Sequence, residues 1–398
     1  MIAAGRIVFV ILIALAALAA GPAFAIRIGD DDRPHRILIA NPSPYLEAHL
    51  AASGFTLESV ERLDALSLSL LVVVPPRGAV AMNAVEQLRT NFPAAIVGLD
   101  EPFYLATDAR LGRGKFSDRQ RVLKSIGWQA YGASIGAGIR VGVIDSSVDL
   151  DHPALQGALI TKRSFTSGKA PTKDTAHGTA IAAMLVGKSD GTAIAGLLRG
   201  ATLFHASIFQ KSKRGPVASS ADFLRAVDWL ARSGVTVINA SVTSETENPV
   251  VLYAMSMLSH EDVILVAAAG NRGPKGPPAY PAAIESAFAV TAVSLDGNPY
   301  QHANIGDYID IAAPGIDLPT TSRRITSGSS LAVPFVTAAV ARMVQMCGVT
   351  PVEAEQRLQA NARDLGAPGR DSSFGWGLLQ APRCTAPQLS ARHPLSTQ

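Results

Sequence analysis

From residue 127 to about 381, the chain alternates short apolar runs with helix-forming segments. Most of these runs are apolar and rich in valine and isoleucine, as strands buried on both faces of a sheet are. They cover residues 139–145, 202–209, 235–240, 263–268, 287–293 and 308–312. Segments with helical periodicity lie between several of them, at 177–186, 220–233 and 249–259. This alternation predicts an α/β domain with a mostly parallel central sheet, in which functional side chains gather at the carboxyl ends of strands.

A smaller unit precedes this domain, from residue 26 to about 105. Its segments follow the order βαββαβ, and its third strand is ended by Pro75 and Pro76, which cannot continue a hydrogen-bonded ladder. The segments lie at 36–40, 44–53, 55–60, 66–74, 83–91 and 95–99. This order predicts a small ferredoxin-like α+β domain.

Composition narrows the classes of function. The 398 residues are 48% hydrophobic and 17% charged, which is typical of a globular protein. The net charge is +3 and the basic residues are scattered, so a nucleic-acid partner is not predicted. Cys347 and Cys384 are the two cysteines, and the sequence leaves open whether they form a disulfide or stay as free thiols.

The first 25 residues have the features of a targeting segment. Arg6 precedes an apolar run over 7–20, and Ala23-Phe24-Ala25 fits the small-x-small cleavage pattern. We predict a cleaved signal peptide over 1–25 and therefore a secreted or periplasmic protein with no stable membrane span after cleavage. An uncleaved anchor is the alternative, and export follows either way.

A polar and basic stretch joins the two units. Residues 107–124 contain six lysines and arginines together with Gly112 and Gly114, which predicts an exposed segment open to proteolysis. We expect the small domain to extend over 26–115 and a linker with the processing site to occupy 116–126. Residues 383–398 are expected to form a polar C-terminal tail.

Four polar residues stand where buried elements of the large domain begin or end. Asp145 ends a strand, His177 begins a helix, Asn271 follows another strand, and Ser330 opens an apolar helix after Gly328. Each has a structural explanation when it is considered alone, such as a helix cap or a turn. Together they provide a hydroxyl nucleophile, a base, a carboxylate to orient the base and an amide donor for an oxyanion, which acyl transfer requires.

These residues lie in blocks that resemble the subtilisin family of serine peptidases (subtilases, peptidase family S8). The order of Asp, His, Asn and Ser is the family's order. The matching blocks are Val-Ile-Asp-Ser at 143–146, His-Gly-Thr at 177–179, Val-Ile-Asn-Ala-Ser at 237–241, Ala-Ala-Ala-Gly-Asn at 267–271, Ile-Ala-Ala-Pro-Gly at 311–315, Gly-Ser-Ser-Leu-Ala-x-Pro at 328–334 and Phe-Gly-Trp-Gly-Leu at 374–378.

The resemblance implies a subtilisin-like three-layer fold over 127–382 and roles for individual residues. Ser330 would attack the scissile carbonyl, His177 would exchange the proton, Asp145 would orient His177, and Asn271 would donate to the oxyanion. It also implies that the unit at 26–115 is an inhibitor-I9-like propeptide that inhibits the enzyme until it is cut off. A permanent domain is the alternative.

The resemblance further implies a substrate site, with several departures from the family pattern. The substrate-binding residues would be Ala240, Ser241, Val242, Thr243, Ala268, Ala269 and Gly270. Val242-Thr243-Ser244 replaces the usual Leu-Gly-Gly, which predicts a tighter pocket mouth and a medium hydrophobic residue on the acyl side of the cut. Leu331 replaces the usual methionine. No cofactor is predicted to be required. Calcium binding is left open, because Asp149 and Asp190 match only part of the calcium ligands of relatives.

The predicted function is therefore that of an exported, monomeric serine endopeptidase (a hydrolase) acting on polypeptides and made as a zymogen that removes its own propeptide. A catalytically impaired peptide-binding relative is the alternative, because side chains at 243 and 244 replace glycines at the substrate edge. A non-peptidase α/β-hydrolase is disfavoured, since the segment around Ser330 lacks the Gly-x-Ser-x-Gly elbow.

Overall fold

The protein is represented by a computed structural model that describes residues 36–106, 118–129, 134–167, 171–188, 193–213, 215–321 and 325–384. The predicted signal segment, the first part of the polar linker, Asp190 and the end of the tail lie outside these residues.

The small unit has the predicted βαββαβ order. Its elements are β1 (Ile37–Ala40), α1 (Pro44–Ala52), β2 (Thr56–Leu63), β3 (Leu68–Val74), α2 (Ala81–Asn91) and β4 (Ile96–Leu99). The strands form an antiparallel sheet in the order β2-β3-β1-β4. One face of this sheet packs on α1 and α2 through buried Ile37, Ile39, Leu46 and Val85. The predicted small α+β unit is confirmed.

The rest of the described chain contains thirteen strands and six helices. In chain order they are β5 (Pro102–Leu105), α3 (Arg119–Ser125), β6 (Arg140–Asp145), β7 (Leu159–Ser164), α4 (Ala176–Val186), β8 (Thr202–Ser207), β9 (Gln210–Ser212), β10 (Gly215–Ser219), α5 (Ser220–Arg232), β11 (Val237–Ala240), β12 (Val242–Thr243), α6 (Pro249–Leu258), β13 (Ile264–Ala268), β14 (Ala287–Val293), β15 (Ile311–Pro314), β16 (Leu318–Pro319), β17 (Ile325–Thr326), α7 (Ser329–Cys347) and α8 (Pro351–Ala360). Short 3-10 turns occupy Asp64–Leu66, Pro153–Leu155 and Ser259–Glu261.

Seven parallel strands form the central sheet, in the order β15-β14-β13-β11-β6-β8-β7. Alternate residues of β6 face opposite layers: Val141 and Val143 join the core with α4 and α7, while Ile144 joins the core with α5 and α6. The predicted α/β fold with helices on both faces of a parallel sheet is thus confirmed.

Strand β7 was not predicted, because it lies at the sheet edge and most of its residues are exposed. An edge strand with one solvated face lacks the continuous apolar run that marks buried strands.

Helix α7 forms the centre of the large core. It is long and apolar enough to meet the criteria for a membrane span, but 78% of its most apolar stretch is buried inside the domain. A helix that is apolar on all sides is expected in a protein core. Its last residue, Cys347, forms a disulfide with Cys384, which resolves the alternative that the sequence left open.

The small unit docks on helices α5 and α6 through the second face of its sheet. Leu38 and Leu70 of this face join one buried cluster with Leu224 and Val250 of the large domain. Arg225 of α5 also pairs with Glu61 of β2 across this junction. Apolar and charged contacts therefore both hold the two units together.

The last residues of the small unit form hydrogen bonds with the N-termini of helices α5 and α6. Asn248, the N-cap of α6, donates from Nδ2 to the Leu99 carbonyl at 2.6 Å, and a Cβ atom on Gly98 would lie 2.7 Å from Asn248 Oδ1. The Ala221 amide of α5 donates to Asp100 at 2.9 Å. These contacts direct the following chain into the strand β5.

The predicted linker 116–126 contains the helix α3. Val122, Leu123 and Ile126 are buried in the core of the large domain, although the surrounding sequence is basic. Because the charged side chains of this segment face outward, its sequence resembles an exposed linker and does not reveal the buried apolar stripe.

Candidate active site

Three of the predicted residues meet at the carboxyl edge of the central sheet. His177 Nδ1 lies 2.7 Å from Asp145 Oδ1, and His177 Nε2 lies 3.2 Å from Ser330 Oγ. Asp145 and Ser330 are buried, and Asp145 Oδ1 also accepts the Ser146 amide at 2.6 Å. The three side chains therefore form a continuous hydrogen-bonded line from a carboxylate to a hydroxyl.

The local sequence explains this close approach. Asp145 ends β6, and His177 lies in the first turn of α4. A Cβ atom on Gly178 would come within 2.6 Å of the carbonyl oxygens of Ser146 and Ser147. Only glycine lets the start of α4 come this close to the turn after β6, and this contact brings His177 within reach of Asp145.

Asn271 is oriented by Ser329. Asn271 Oδ1 accepts hydrogen bonds from the amide and the hydroxyl of Ser329, at 3.0 and 3.1 Å. Ser329 Oγ accepts in turn from the Gly270 amide at 3.2 Å. Because the amide oxygen is occupied, the Nδ2 donor of Asn271 points the other way, into the cleft.

A peptide strand of the chain itself lies in the cleft. Strand β5 pairs antiparallel with β12 on one side, Leu105 opposite Val242 and Tyr104 opposite Thr243. On the other side it pairs with β10, as part of a sheet in the order β12-β5-β10-β9. The side chain of Thr243, which replaces a glycine of the family pattern, therefore does not prevent backbone pairing at this edge.

Ala106, the residue after β5, reaches the Asn271 amide. Its N–H donates to the Ser241 carbonyl at 3.1 Å. Its carbonyl oxygen accepts from Asn271 Nδ2 at 2.6 Å and from the Ser330 amide at 3.4 Å. The carbonyl of the bond between residues 106 and 107 thus lies between two donors and beside the Ser330 hydroxyl.

Buried polar contacts fix the backbone at Ser330. Ser241 Oγ donates to the Ser330 carbonyl at 3.1 Å and accepts from Asn239 Nδ2 at 2.9 Å. Asn239 Oδ1 accepts from Thr337 of α7 at 3.2 Å. These contacts join β11 and α7 beneath the site and position the Ser330 backbone.

The predicted substrate-binding residues divide into two groups. Ser241, Val242 and Thr243 pair with the strand in the cleft, and Thr243 and Gly270 line a cavity next to Ala106. Ala240, Ala268 and Ala269 are fully buried and do not line this cavity. These three form its supporting framework instead of its surface.

An aromatic stack anchors the far end of the strand in the cleft. Phe103 packs on Phe223 of α5 with ring centroids 4.7 Å apart and an interplanar angle of 10°. Phe103 is the fourth residue before the 106–107 bond and is buried. The cleft therefore has an aromatic subsite three residues away from Ala106.

His205 is a second buried histidine near Asp145. It lies on β8, one strand from Asp145, and its Nε2 has no hydrogen-bond partner among the described residues. Burial lowers its pKa to about 4, although the charge of Asp145 opposes this shift. His205 is therefore neutral at neutral pH.

Sequence reasoning missed Ala106 and the orienting role of Ser329. Ala106 has no chemical signature in the sequence, because only the docking of β5 brings it to the site. Among the described residues, no group of three or more His, Cys, Asp or Glu could hold a metal ion.

Comparisons of the sequence with a family profile and with curated proteins point to the same family. The profile of the subtilase family matches residues 136–377. Minor extracellular protease Epr of Bacillus subtilis is 29% identical over 258 residues, which cover 63% of this chain but 39% of Epr. The thermostable alkaline protease of Halalkalibacterium halodurans is 31% identical over 265 residues, which cover 65% of this chain and 70% of that protein.

Solved structures give the same fold. Fervidolysin from Fervidobacterium pennivorans, a keratinolytic enzyme related to subtilisin, aligns with a TM-score of 0.70 at 20% identity, covering 87% of this chain and 60% of that chain. The S218A mutant of the PatA protease domain aligns with a TM-score of 0.55 at 26% identity, covering 63% of this chain and 95% of that domain.

Proposed function

Since this chain belongs to the subtilase family, we propose that it is a serine endopeptidase that hydrolyses peptide bonds through an acyl-enzyme on Ser330. The observation that carries the proposal is the position of the Ala106 carbonyl, which accepts hydrogen bonds from Asn271 and the Ser330 amide beside the Ser330 hydroxyl. A peptide held in this way is arranged as a substrate.

The reaction follows from the hydrogen bonds of the site. Ser330 Oγ attacks the carbonyl carbon while His177 Nε2 takes its proton, and Asp145 holds the ring and stabilises its positive charge. Asn271 Nδ2 and the Ser330 amide donate to the oxyanion that forms. His177 then protonates the leaving amine as the C–N bond breaks, and water releases the acyl group by the same steps in reverse. Apart from the peptide and water, every group named in these steps belongs to the chain.

We further propose that the small unit is a propeptide and that the enzyme cuts it off between Ala106 and Thr107. The antiparallel pairing of β5 and the docking of the small unit on α5 and α6 support this proposal. Until the cleaved segment leaves, it would block the cleft as an intramolecular inhibitor. Nine residues, 107–115, separate this bond from the linker 116–126, in which the sequence analysis predicted the processing site.

We propose export to an oxidising compartment. The disulfide between Cys347 and Cys384 supports this location, because disulfides persist outside the cytosol. The similarity to an extracellular protease of Bacillus subtilis supports it as well. The mature protein would act there on polypeptides as a monomer.

A labelling experiment tests the proposed activity. The full chain and its Ser330→Ala variant are treated with a fluorophosphonate, which esterifies an activated serine. We expect labelling of the wild type, no labelling of Ser330→Ala, and weaker labelling of His177→Ala than of the wild type. Absence of labelling in the wild type, together with no turnover of peptides, would favour the alternative of a peptide-binding protein.

A further inference from the structure

The carboxylate of Asp145 uses only one of its two oxygens in the hydrogen-bonded line of the site. Its Oδ1 lies 2.7 Å from His177 Nδ1 and accepts the Ser146 amide at 2.6 Å. Its Oδ2 is buried and has no hydrogen-bond partner among the residues that the structure describes. A buried carboxylate oxygen without a donor costs free energy. We therefore looked for a second donor on the elements that surround Asp145.

His205 of β8 lies on the same face of the sheet as Asp145. In the parallel pairing of β6 with β8, Asp145 stands opposite Ser207 and Val143 stands opposite His205. Side chains two positions apart on a strand point to the same face. The imidazole of His205 therefore lies diagonally across from the Asp145 carboxylate, on the neighbouring strand.

The tip of the His205 ring reaches the first turn of α4. A Cβ atom on Gly178, the residue after His177, would lie 3.2 Å from His205 Nε2. The Gly178 amide also donates to Ser146 Oγ at 3.0 Å, which joins this turn to the end of β6. His205 Nε2 is thus enclosed between the chain that follows Asp145 and the turn that carries His177. Like Asp145 Oδ2, this nitrogen is buried and lacks a partner in the described part of the chain.

The other ring nitrogen indicates which tautomer fits. His205 Nδ1 lies 3.4 Å from Ser207 Oγ, whose hydroxyl can donate to it. A neutral imidazole has one N–H and one bare nitrogen, so a bond accepted at Nδ1 places the proton on Nε2. In this tautomer the Nε2–H group is an unused donor and Asp145 Oδ2 is an unused acceptor. One hydrogen bond, direct or through a bound water, would satisfy both.

The groups that surround His205 keep its ring neutral. Burial lowers its pKa to about 4, and the charge of Asp145 on β6 opposes this shift. Lys162 on β7 and His177 on α4 act in the same direction as burial, and Lys162 Nζ donates to the Val148 carbonyl at 3.4 Å. A neutral ring can donate to Asp145 without removing its negative charge, so the carboxylate still stabilises a protonated His177.

We propose that His205 is a positioning residue of the candidate active site, which donates from Nε2 toward Asp145 Oδ2 and so keeps Oδ1 directed at His177. This inference rests on the proposed endopeptidase function and adds a residue that acts through Asp145. A carboxylate held at both oxygens is hindered from rotating about its bond to Cβ. His177 then keeps the orientation in which its Nε2 lies 3.2 Å from Ser330 Oγ.

Kinetics of processed enzyme on Phe-Tyr-Leu-Ala amides test this role. His205→Phe keeps a ring but removes the donor, and it should lower kcat roughly tenfold with KM unchanged, the effect of losing one hydrogen bond to a charged group. His205→Gln keeps an N–H near the position of Nε2 and should restore most of kcat. His260→Phe changes an exposed histidine and should match the wild type. A folded His205→Phe enzyme with the wild-type kcat would overturn the proposal, as would a glutamine variant no better than the phenylalanine variant.

NMR of the full-length Ser330→Ala protein tests the geometry without turnover and without self-digestion. The nitrogen chemical shifts of the His205 ring should show its proton on Nε2. The low-field resonance of the proton between His177 and Asp145 should move in His205→Phe and stay in place in His260→Phe. A proton on Nδ1 of His205 would contradict the proposal even if His205→Phe does not fold.

The outcomes distinguish this inference from the proposed function. If the wild type does not cleave the amides, the endopeptidase proposal fails, while the tautomer of His205 still decides whether this ring can donate toward Asp145. If the wild type cleaves them but His205→Phe keeps its kcat, or the ring proton is on Nδ1, the positioning role is wrong while the activity stands.

Discussion

The side-chain amide of Asn271 donates to the carbonyl oxygen of Ala106 across a distance of 2.6 Å. The two residues are 165 positions apart, and the contact exists because the small unit docks on α5 and α6 and extends β5 into the cleft. The carbonyl group of Ala106 therefore lies at the candidate active site of the same chain, and five predictions follow from this arrangement and its surroundings.

Replacing Asn271 by alanine should lower kcat with little change in KM, because the donor acts mainly on the oxyanion. The expected loss is about 10²–10³-fold, the value known for the matching asparagine of subtilisin itself. Steady-state kinetics of processed enzyme on Phe-Tyr-Leu-Ala amides measure it. Ser329→Ala should lower kcat less, since Ser329 only orients Asn271. Ser329→Thr keeps the hydroxyl and should leave kcat close to the wild-type value. An unchanged kcat in Asn271→Ala would contradict the assigned role.

Replacing Phe103 by alanine should slow removal of the small unit, because the stack on Phe223 is lost. We expect a roughly 10- to 100-fold lower kcat/KM for Ala-Tyr-Leu-Ala than for Phe-Tyr-Leu-Ala amides, the usual range for filling an apolar pocket. The Phe103→Tyr chain keeps the ring and serves as the matched control. Equal rates for the two peptides would show that the aromatic subsite does not contribute.

Stability should fall between pH 6.5 and pH 4 because of His205. The unfolded chain binds a proton near pH 6.5, whereas burial keeps His205 neutral in the folded protein down to about pH 4. Protonation therefore favours unfolding across this window, by up to about 3 kcal/mol. Asp145 opposes this shift, while Lys162 and His177 reinforce it.

Denaturant unfolding of the Ser330→Ala protein from pH 4.5 to 7.5 measures this dependence without self-digestion. His205→Ala in the same background should flatten it, while His260→Ala, which removes an exposed histidine, should not. Equal pH slopes with and without His205 would refute this explanation.

Leu331 should protect the site from oxidation. It is buried directly after Ser330, and a methionine there would gain a bulkier, polar sulfoxide beside the nucleophile. We expect dilute peroxide to inactivate Leu331→Met several times faster than the wild type, while Leu331→Ile stays resistant. If the wild type loses activity as fast as Leu331→Met, another residue limits its oxidative stability.

The sequence predicted the elements that are buried on all sides and missed those that depend on a neighbour. Strands such as 287–293 carry continuous apolar runs, and the structure has this one at the predicted bounds. Strand β5 was missed because Pro102–Leu105 becomes a strand only between β12 and β10. The disulfide was undecided because the sequence does not give the Cα–Cα distance of 5.4 Å between Cys347 and Cys384.

The candidate active site could be predicted from the sequence to about the same extent as the fold. Asp145, His177, Asn271 and Ser330 stand at element ends that a parallel sheet brings together, so their proximity was expected, and their catalytic roles stay predictions. The pairing of Arg272 with Glu245 was not predictable, because it depends on how two loops face each other across a cavity.

The new N-terminus of the processed protein tests the central claim most directly. The full chain and its Ser330→Ala variant are expressed in parallel, and the first product is identified by intact mass and N-terminal sequencing. We predict that the wild type begins at Thr107 and that Ser330→Ala keeps the Ala106–Thr107 bond intact. Two results would contradict the account. One is a wild-type protein whose first cleavage lies within 116–126 while the Ala106–Thr107 bond stays uncut. The other is cleavage after Ala106 in the Ser330→Ala protein expressed alone.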